Sequence, residues 1–247
     1  MILSVIGLGY IGLPTAAVLA SKRVEVVGVD VNQNTVNTIN KGKIHIVEPE
    51  LNILVHNAVQ NNYLRAVTKP EKSDVFMVAV PTPFKDNYEP DLSYIKAAAK
   101  SIAAVLERGN LVILESTSPV GTTEKMMVWM REERPDLSFP KFGNDKFRAD
   151  IAVSYCPERV LPGQVVRELK ENDRIIGGVT TQCAEKALEV YKIFVENDCF
   201  ITDCRTAELT KLVENSFRDV NIAFANELSL ICDKLDINIW ELIKLAN

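Results

Sequence analysis

Six residues near the amino terminus, Gly7-Leu8-Gly9-Tyr10-Ile11-Gly12, have the types and spacing that cradle a pyrophosphate. The first glycine permits a tight turn, the second lets backbone approach the phosphates, and the third lets a strand and a helix pack closely. The helix amino terminus adds N–H donors and partial positive charge. An apolar run, Ile2–Gly7, precedes the motif and the helical spacing of Ile11–Ala20 follows it. Asp30 ends the next apolar run, where a carboxylate accepts hydrogen bonds from a ribose hydroxyl. That carboxylate repels a 2′-phosphate, and Val31-Asn32-Gln33-Asn34 offers no lysine or arginine to offset it, so the residues point to NAD rather than NADP. The backbone of Tyr10 and Ile11 falls beside the pyrophosphate, while their side chains serve packing equally well. The competing reading is a glycine turn used only for packing.

A second set of reactive types lies far along the chain. Lys211 and Asn215 are four residues apart in a helical pattern, which puts an amine and an amide on one face. On spacing alone, a solvated lysine beside a polar neighbour explains them as well as a pocket does. Glu158 follows the apolar run Ile151–Tyr155 and is either a general base or a surface-loop carboxylate. The five cysteines, Cys156, Cys183, Cys199, Cys204 and Cys232, form no C-x-x-C pair and are too sparse for a disulfide framework. They point to reduced thiols and a cytoplasmic setting.

The elements that must carry these residues alternate from the start. Ile2–Gly7, Val24–Asp30, Val75–Val80, Leu111–Glu115 and Ile151–Tyr155 are short apolar runs, the pattern of strands buried on both faces of a parallel sheet. Helical spacing occupies Ile11–Ala20, Val31–Asn40, Leu92–Leu106, Thr123–Arg131 and Gln182–Phe194. The alternation predicts an α/β fold, a Rossmann-like doubly wound parallel sheet, with ligands at the carboxyl ends of its strands. From about Thr206 an amphipathic pattern runs on without proline or glycine, with Leu209, Leu212, Val213, Phe217, Val220, Phe224, Leu228, Ile231 and Leu235 near one face. It predicts a long helix joining two domains or two subunits, followed by another that starts at the capping-box sequence Asn238-Ile239-Trp240-Glu241. The expected division is a dinucleotide-binding domain over 1–203 and the start of a central helical dimerisation region over 204–247.

Bulk properties exclude several classes. With 47% apolar and 25% charged residues, the chain has an ordinary globular composition. A net charge of −5 argues against nucleic acid as a partner. The apolar opening Met1–Pro14 lacks a basic region and is interrupted by glycines, so it does not read as a signal peptide. No apolar run is long enough for a membrane span.

Four further segments resemble the UDP-glucose/GDP-mannose dehydrogenase family: Val80-Pro81-Thr82-Pro83, Glu115 to Thr122, Tyr155 to Gly163 and Glu208 to Asn215. They occur in the family's order and spacing, and the resemblance covers essentially the whole chain. The run Pro157-Glu158-Arg159-Val160-Leu161-Pro162-Gly163 resembles the branch acting on UDP-N-acetyl-D-mannosamine. The resemblance implies two successive NAD-dependent oxidations at C6 of a UDP-sugar, through a cysteine-bound thiohemiacetal and thioester, to a carboxylate. It makes Lys211 the acid/base or oxyanion stabiliser and has Asn215 position substrate or water. Glu158 and Thr117 are assigned to the hydrolytic step, Thr117 holding water. Arg159 and Val160 contact sugar, and Arg218 contacts the nucleotide phosphates. Thr82 and Thr123 occupy turns on the nicotinamide side, where a hydroxyl serves equally to cap a helix. A homodimer built on the long helix is also implied.

The family's nucleophile lies in a Gly-Gly-x-Cys segment that does not occur before Asn247, and none of the five cysteines has that context. The expectation is an incomplete chain that lacks both that thiol and the UDP-binding domain. Two other readings stay open. A β-hydroxyacid-type dehydrogenase needs no thiol but leaves the Pro157–Gly163 segment unexplained, and a non-catalytic NAD-binding or dimerisation module would bind dinucleotide without turnover.

Overall fold

The computed structural model describes residues 1–161 and 163–246, so Pro162 of the 157–163 segment lies outside the described residues. Their contacts divide the chain into two compact units, Met1–Leu209 and Thr210–Asn247.

The first unit is a sheet covered on both faces by helices. Its strands are β1 (Ile2–Ile6), β2 (Glu25–Val29), β3 (Leu64–Val67), β4 (Val75–Val78), β5 (Leu111–Leu114), β6 (Ala152–Tyr155), β7 (Arg174–Gly178) and β8 (Cys199–Asp203). Between them run α1 (Gly12–Ser21), α2 (Gln33–Asn40), α3 (Leu51–Gln60), α4 (Ser93–Ala103), α5 (Thr122–Glu133), α6 (Val165–Glu171) and α7 (Thr181–Tyr191). The strand order is β3-β2-β1-β4-β5-β6-β7-β8, with the order reversing across β1 and β4.

Every residue of β4, β5 and β6 is buried. Successive side chains alternate between two cores, as strand geometry requires. Leu111 and Ile113 belong to the core shared with α1, α6 and α7, while Val112 and Leu114 belong to the core shared with α4 and α5. A strand with no solvent face reads as continuous apolar sequence, which is why these runs were legible.

The expected α/β class and doubly wound sheet hold, with one departure. The pairs from β3 through β6 are parallel, but β7 runs antiparallel to β6, and β8 lies parallel to β7. The strands β3, β7 and β8 and the helices α3 and α6 are additions to the elements expected from sequence.

Helix α8 (Cys204–Leu235) opens in the first unit and continues through the second, which also holds α9 (Ile239–Ala246). The second helix begins as the capping-box sequence predicts, with Asn238 Oδ1 accepting from Trp240 N at 3.0 Å. Phe217, Val220, Phe224, Ile231 and Leu235 are all exposed on α8. Among the described residues no helix is long and apolar enough to cross a membrane.

Candidate functional site

The loops that follow β1, β2, β4, β5 and β6 all leave from the same edge of the sheet, because those strands are parallel. The glycine motif occupies the first of them. Gly7 has φ +93°, and a Cβ there would stand 2.7 Å from the Ala79 carbonyl oxygen. A Cβ on Gly12 would meet the Gly7 carbonyl oxygen at 1.8 Å, so any larger residue would push α1 off β1. Gly9, by contrast, faces open space. The motif thus has two glycines fixed by packing and one presenting bare backbone, which is what approach by a pyrophosphate needs. Tyr10 is exposed and Ile11 half-buried at the start of α1.

Asp30 sits just past β2 and does more than the sequence indicates. Its Oδ2 accepts from Leu8 N at 3.0 Å and its Oδ1 from Asn32 N at 2.9 Å. The carboxylate is therefore fixed against the glycine turn, and its remaining lone pairs are available to a ribose hydroxyl.

The next two loops are tied to each other. Thr82 Oγ1 donates to the Thr117 carbonyl at 2.6 Å, and Ser116 Oγ donates to the Val80 carbonyl at 2.7 Å. Thr82 and Thr117 are both half-buried. Thr123 is fully buried at the start of α5, and its hydroxyl donates to Glu208 Oε1 at 2.7 Å. Glu208 also accepts from Thr123 N at 2.8 Å and Gly121 N at 2.6 Å. A carboxylate from the start of α8 thus caps α5, where Gly121 brings no side chain of its own. Sequence reading missed this cap, since its partners are more than eighty positions apart.

The segment after β6 is pinned at almost every residue. Glu158 is buried, which removes the surface-loop reading, and its Oε2 accepts from Val160 N at 2.8 Å. The Arg159 carbonyl accepts from Asn172 Nδ2 at 2.9 Å, and Leu161 N donates to Glu168 Oε2 at 2.6 Å. Glu48 reaches in from the chain between α2 and α3, accepting from Gly163 N at 3.0 Å and Val165 N at 2.7 Å. Behind Glu158 lies Arg174, 1% exposed at the head of β7, with its Nη1 3.6 Å from Glu158 Oε1. Neither Glu48 nor Arg174 was a sequence candidate.

Neither Cys156 nor Cys204 offers a ready nucleophile. Cys156 is the cysteine nearest Glu158 in sequence, and burial pushes its thiol up to about 12. Burial has the same effect on Cys204, also to about 12. Among the described residues no group of three or more His, Cys, Asp or Glu is placed to hold a metal ion.

In the second unit, Lys211, Asn215 and Arg218 fall on α8 at intervals of four and three, hence on one helix face. Lys211 is half-buried, while Asn215 and Arg218 are exposed.

Residues 1–195 match the UDP-glucose/GDP-mannose dehydrogenase family's NAD binding domain, and residues 205–247 match its central domain. The chain is 68% identical, over 244 residues, to a UDP-N-acetyl-D-mannosamine dehydrogenase of Campylobacter jejuni, covering 98% of this chain and 60% of that protein. It is 63% identical to an NDP-N-acetyl-D-galactosaminuronic acid dehydrogenase of Ralstonia nicotianae, covering 99% of this chain and 57% of that one. The solved UDP-D-ManNAc dehydrogenase of Pyrococcus horikoshii superposes with a TM-score of 0.91 at 42% identity, covering all of this chain and 57% of its own. The chain thus spans about 60% of the length of the curated relatives it matches.

Proposed function

This chain belongs to the UDP-glucose/GDP-mannose dehydrogenase family, and from that premise we propose that it takes part in the NAD-dependent oxidation of UDP-N-acetyl-D-mannosamine at C6 to the uronate. The observation that carries the proposal is the pairing of two loops at one sheet edge. One is a glycine turn fastened to Asp30, and the other is the 157–163 segment with Glu158 buried within it.

NAD, when bound, accepts the hydride that leaves C6. The residues to hold it are Gly7, Gly9 and Gly12 with the Tyr10 and Ile11 backbone for the pyrophosphate, and Asp30 for the ribose. Thr82 and Thr123 belong to the turns on the nicotinamide side. Since the Thr123 hydroxyl is taken up by Glu208, its part there is to fix the turn.

On the substrate side, Arg159 and Val160 face the sugar. The Val160 N–H is committed to Glu158, which leaves its carbonyl for a sugar hydroxyl. Lys211 stabilises the negative charge that grows on oxygen as the C6 hydroxyl loses its proton, and Asn215 orients substrate or water. Arg218 meets the nucleotide phosphates. Glu158 accepts a proton from attacking water, which Thr117 holds in place, in the step that yields the carboxylate. The thiol that the family chemistry requires is assigned to none of the five cysteines in these 247 residues. A homodimer through α8 and a cytoplasmic setting belong to the same proposal. The division of labour proposed is a dinucleotide domain over 1–203 and a central helical region from 204 onward.

Calorimetric titration with NAD and with UDP-N-acetyl-D-mannosamine, alongside mass spectrometry of the incubated nucleotide sugar, tests the reading. Binding of NAD is expected, and no uronate from this chain by itself, since none of its cysteines is assigned as the thiol. Binding of NAD alone would leave a dinucleotide module and remove the substrate assignment.

A further inference from the structure

Among the described residues Arg174 is the largest fully buried side chain, and no step proposed above uses it. It reaches the carboxyl edge of the sheet through an inversion of strand direction. β6 and β7 pair antiparallel, Ser154 opposite Gly178 and Tyr155 opposite Gly177. Continuing that register past the end of β6 brings Glu158 opposite Arg174, the first residue of β7.

The guanidinium is incompletely satisfied for a structural arginine. Nη2 donates to the Leu169 carbonyl at 3.2 Å, Nη1 stands 3.6 Å from Glu158 Oε1, and the group lies 6.0 Å from the centre of the Tyr191 ring. Its Nε has no hydrogen-bond partner among the described residues, and neither do Glu158 Oε1 and Glu115 Oε2. Burying a guanidinium is costly, and an apolar residue of similar volume commonly stabilises a fold at least as well. A buried cation with one backbone bond and one carboxylate beside it is therefore poorly explained by stability alone.

The titratable groups around Arg174 come from several elements. They are Glu158 and Cys156 after β6, Glu115 after β5, Tyr191 on α7 and Cys199 on β8. Two of these are carboxyls, so the cation has two candidates for its charge. Glu115 is bound by the Tyr191 hydroxyl at 2.6 Å, and burial raises the pKa of its carboxyl to about 7. Glu115 is thus engaged by Tyr191, and Glu158, which the guanidinium approaches at 3.6 Å, is the carboxylate that Arg174 serves.

We propose that Arg174 is a positioning residue that holds the Glu158 carboxylate, in its charged form, where the proposed hydrolytic step needs it. The purpose rests on the functional reading above; the coupling between the two side chains does not.

The Val160 amide reports on the pair, because its N–H donates to Glu158 Oε2. Its NMR shift followed through a pH titration of this chain should show a step that vanishes in Glu158→Gln. In Arg174→Gln that step should move to higher pH, and in Arg174→Lys by less, since a charge is kept beside the carboxylate. A midpoint unmoved in a folded Arg174→Gln protein would overturn the proposal. Should that variant not fold, the wild-type protein decides: the Arg174 Nε–H resonance must titrate with the Val160 midpoint, and an Arg174 signal indifferent to it would overturn the coupling. Adding UDP-N-acetyl-D-mannosamine with NAD should perturb the Val160 amide. An amide that ignores both ligands while the coupling persists would remove the catalytic purpose and leave the ion pair as a structural fact.

Discussion

The Leu8 amide donates to the Asp30 carboxylate at 3.0 Å, linking the glycine turn after β1 to the end of β2. The residue proposed to select the cofactor is therefore also the fastener of the loop that receives it. Selectivity and loop geometry share one side chain, so a change there acts on both.

Replacing Asp30 with Ala should weaken NAD binding about tenfold, the scale of one lost charge-assisted interaction. It should also lower the melting temperature, since the Leu8 and Asn32 amides lose their acceptor. Asn at this position keeps an acceptor but not the charge, so it should retain more stability while giving up preference for NAD over NADP. Calorimetry with both dinucleotides and a thermal melt separate these effects. Equal affinity of the unmodified chain for NAD and NADP would sink the assignment.

Glu208→Ala should destabilise the first unit by about 2–3 kcal/mol, because the Gly121 and Thr123 amides at the head of α5 lose a buried acceptor. Thr123→Val removes only the hydroxyl contact and should cost about 1 kcal/mol. Urea unfolding midpoints at constant slope provide the comparison. Equal losses in the two variants would argue against the cap.

Glu115 gives a pH dependence with a definite sign. Its carboxyl is raised from the ordinary value of 4.5 to about 7 by burial, so between those values the folded protein holds a proton that the unfolded chain releases. The resulting stabilisation is fully present below the ordinary value and is lost as pH rises through about 7, by up to about 3 kcal/mol in all. Glu115→Gln fixes the neutral form and keeps an acceptor for the Tyr191 hydroxyl, so melting temperatures between pH 5 and 8 should vary less than in the wild type. A variant with an unchanged slope would contradict the assignment.

In a chain that also carries the family's Gly-Gly-x-Cys segment, Lys211 and Arg218 should fail in opposite ways. Lys211→Ala removes charge stabilisation that matters most in the transition state, so kcat should fall about a hundredfold with KM moving less. Arg218→Ala should raise KM mainly, as expected for a residue that grips the nucleotide. Steady-state kinetics with UDP-N-acetyl-D-mannosamine decide between them, and the reverse pattern would exchange the two roles.

The apolar side chains along α8 should drive self-association. Phe217 and Phe224 are 71% and 67% exposed, which is costly for aromatic rings in water. Sedimentation at micromolar concentration should find a dimer, and Phe224→Asp should shift the population toward monomer. A wild-type chain that stays monomeric would refute the proposed assembly.

Legibility in the sequence followed the range of each interaction. The glycine turn and the strands β1, β2, β4, β5 and β6 announce themselves in consecutive residues. β7, Arg-Ile-Ile-Gly-Gly, does not, because it begins with a charge and ends in two glycines required by packing; a Cβ on Gly177 would strike Ala207 at 2.6 Å. β3 and β8 are the edge strands, and each contains exposed residues. Helix α3 has apolar residues at helical spacing, but it starts from Glu50 in a left-handed conformation with no side-chain cap. The same rule separates the site residues. Asp30 and Glu158 follow recognisable strands, whereas Glu48, Arg174 and Glu208 act on residues that only the fold brings near.

The reversal of β7 also bears on how the molecule comes apart. Its ladder to β6 has two residue pairs, while the parallel ladders on the other side of β6 have four or five. Besides apolar packing and a few loop hydrogen bonds, side-chain fastenings hold β7, α7 and β8 to the rest: Ser154 Oγ donates to the Cys183 carbonyl at 2.8 Å, and the Tyr191 hydroxyl donates to Glu115. Backbone ladders tolerate substitution because every residue but proline supplies the same groups, whereas side-chain fastenings are rewritten by one codon. This end of the sheet is thus the place where single substitutions can set the free energy of a local opening apart from that of global unfolding.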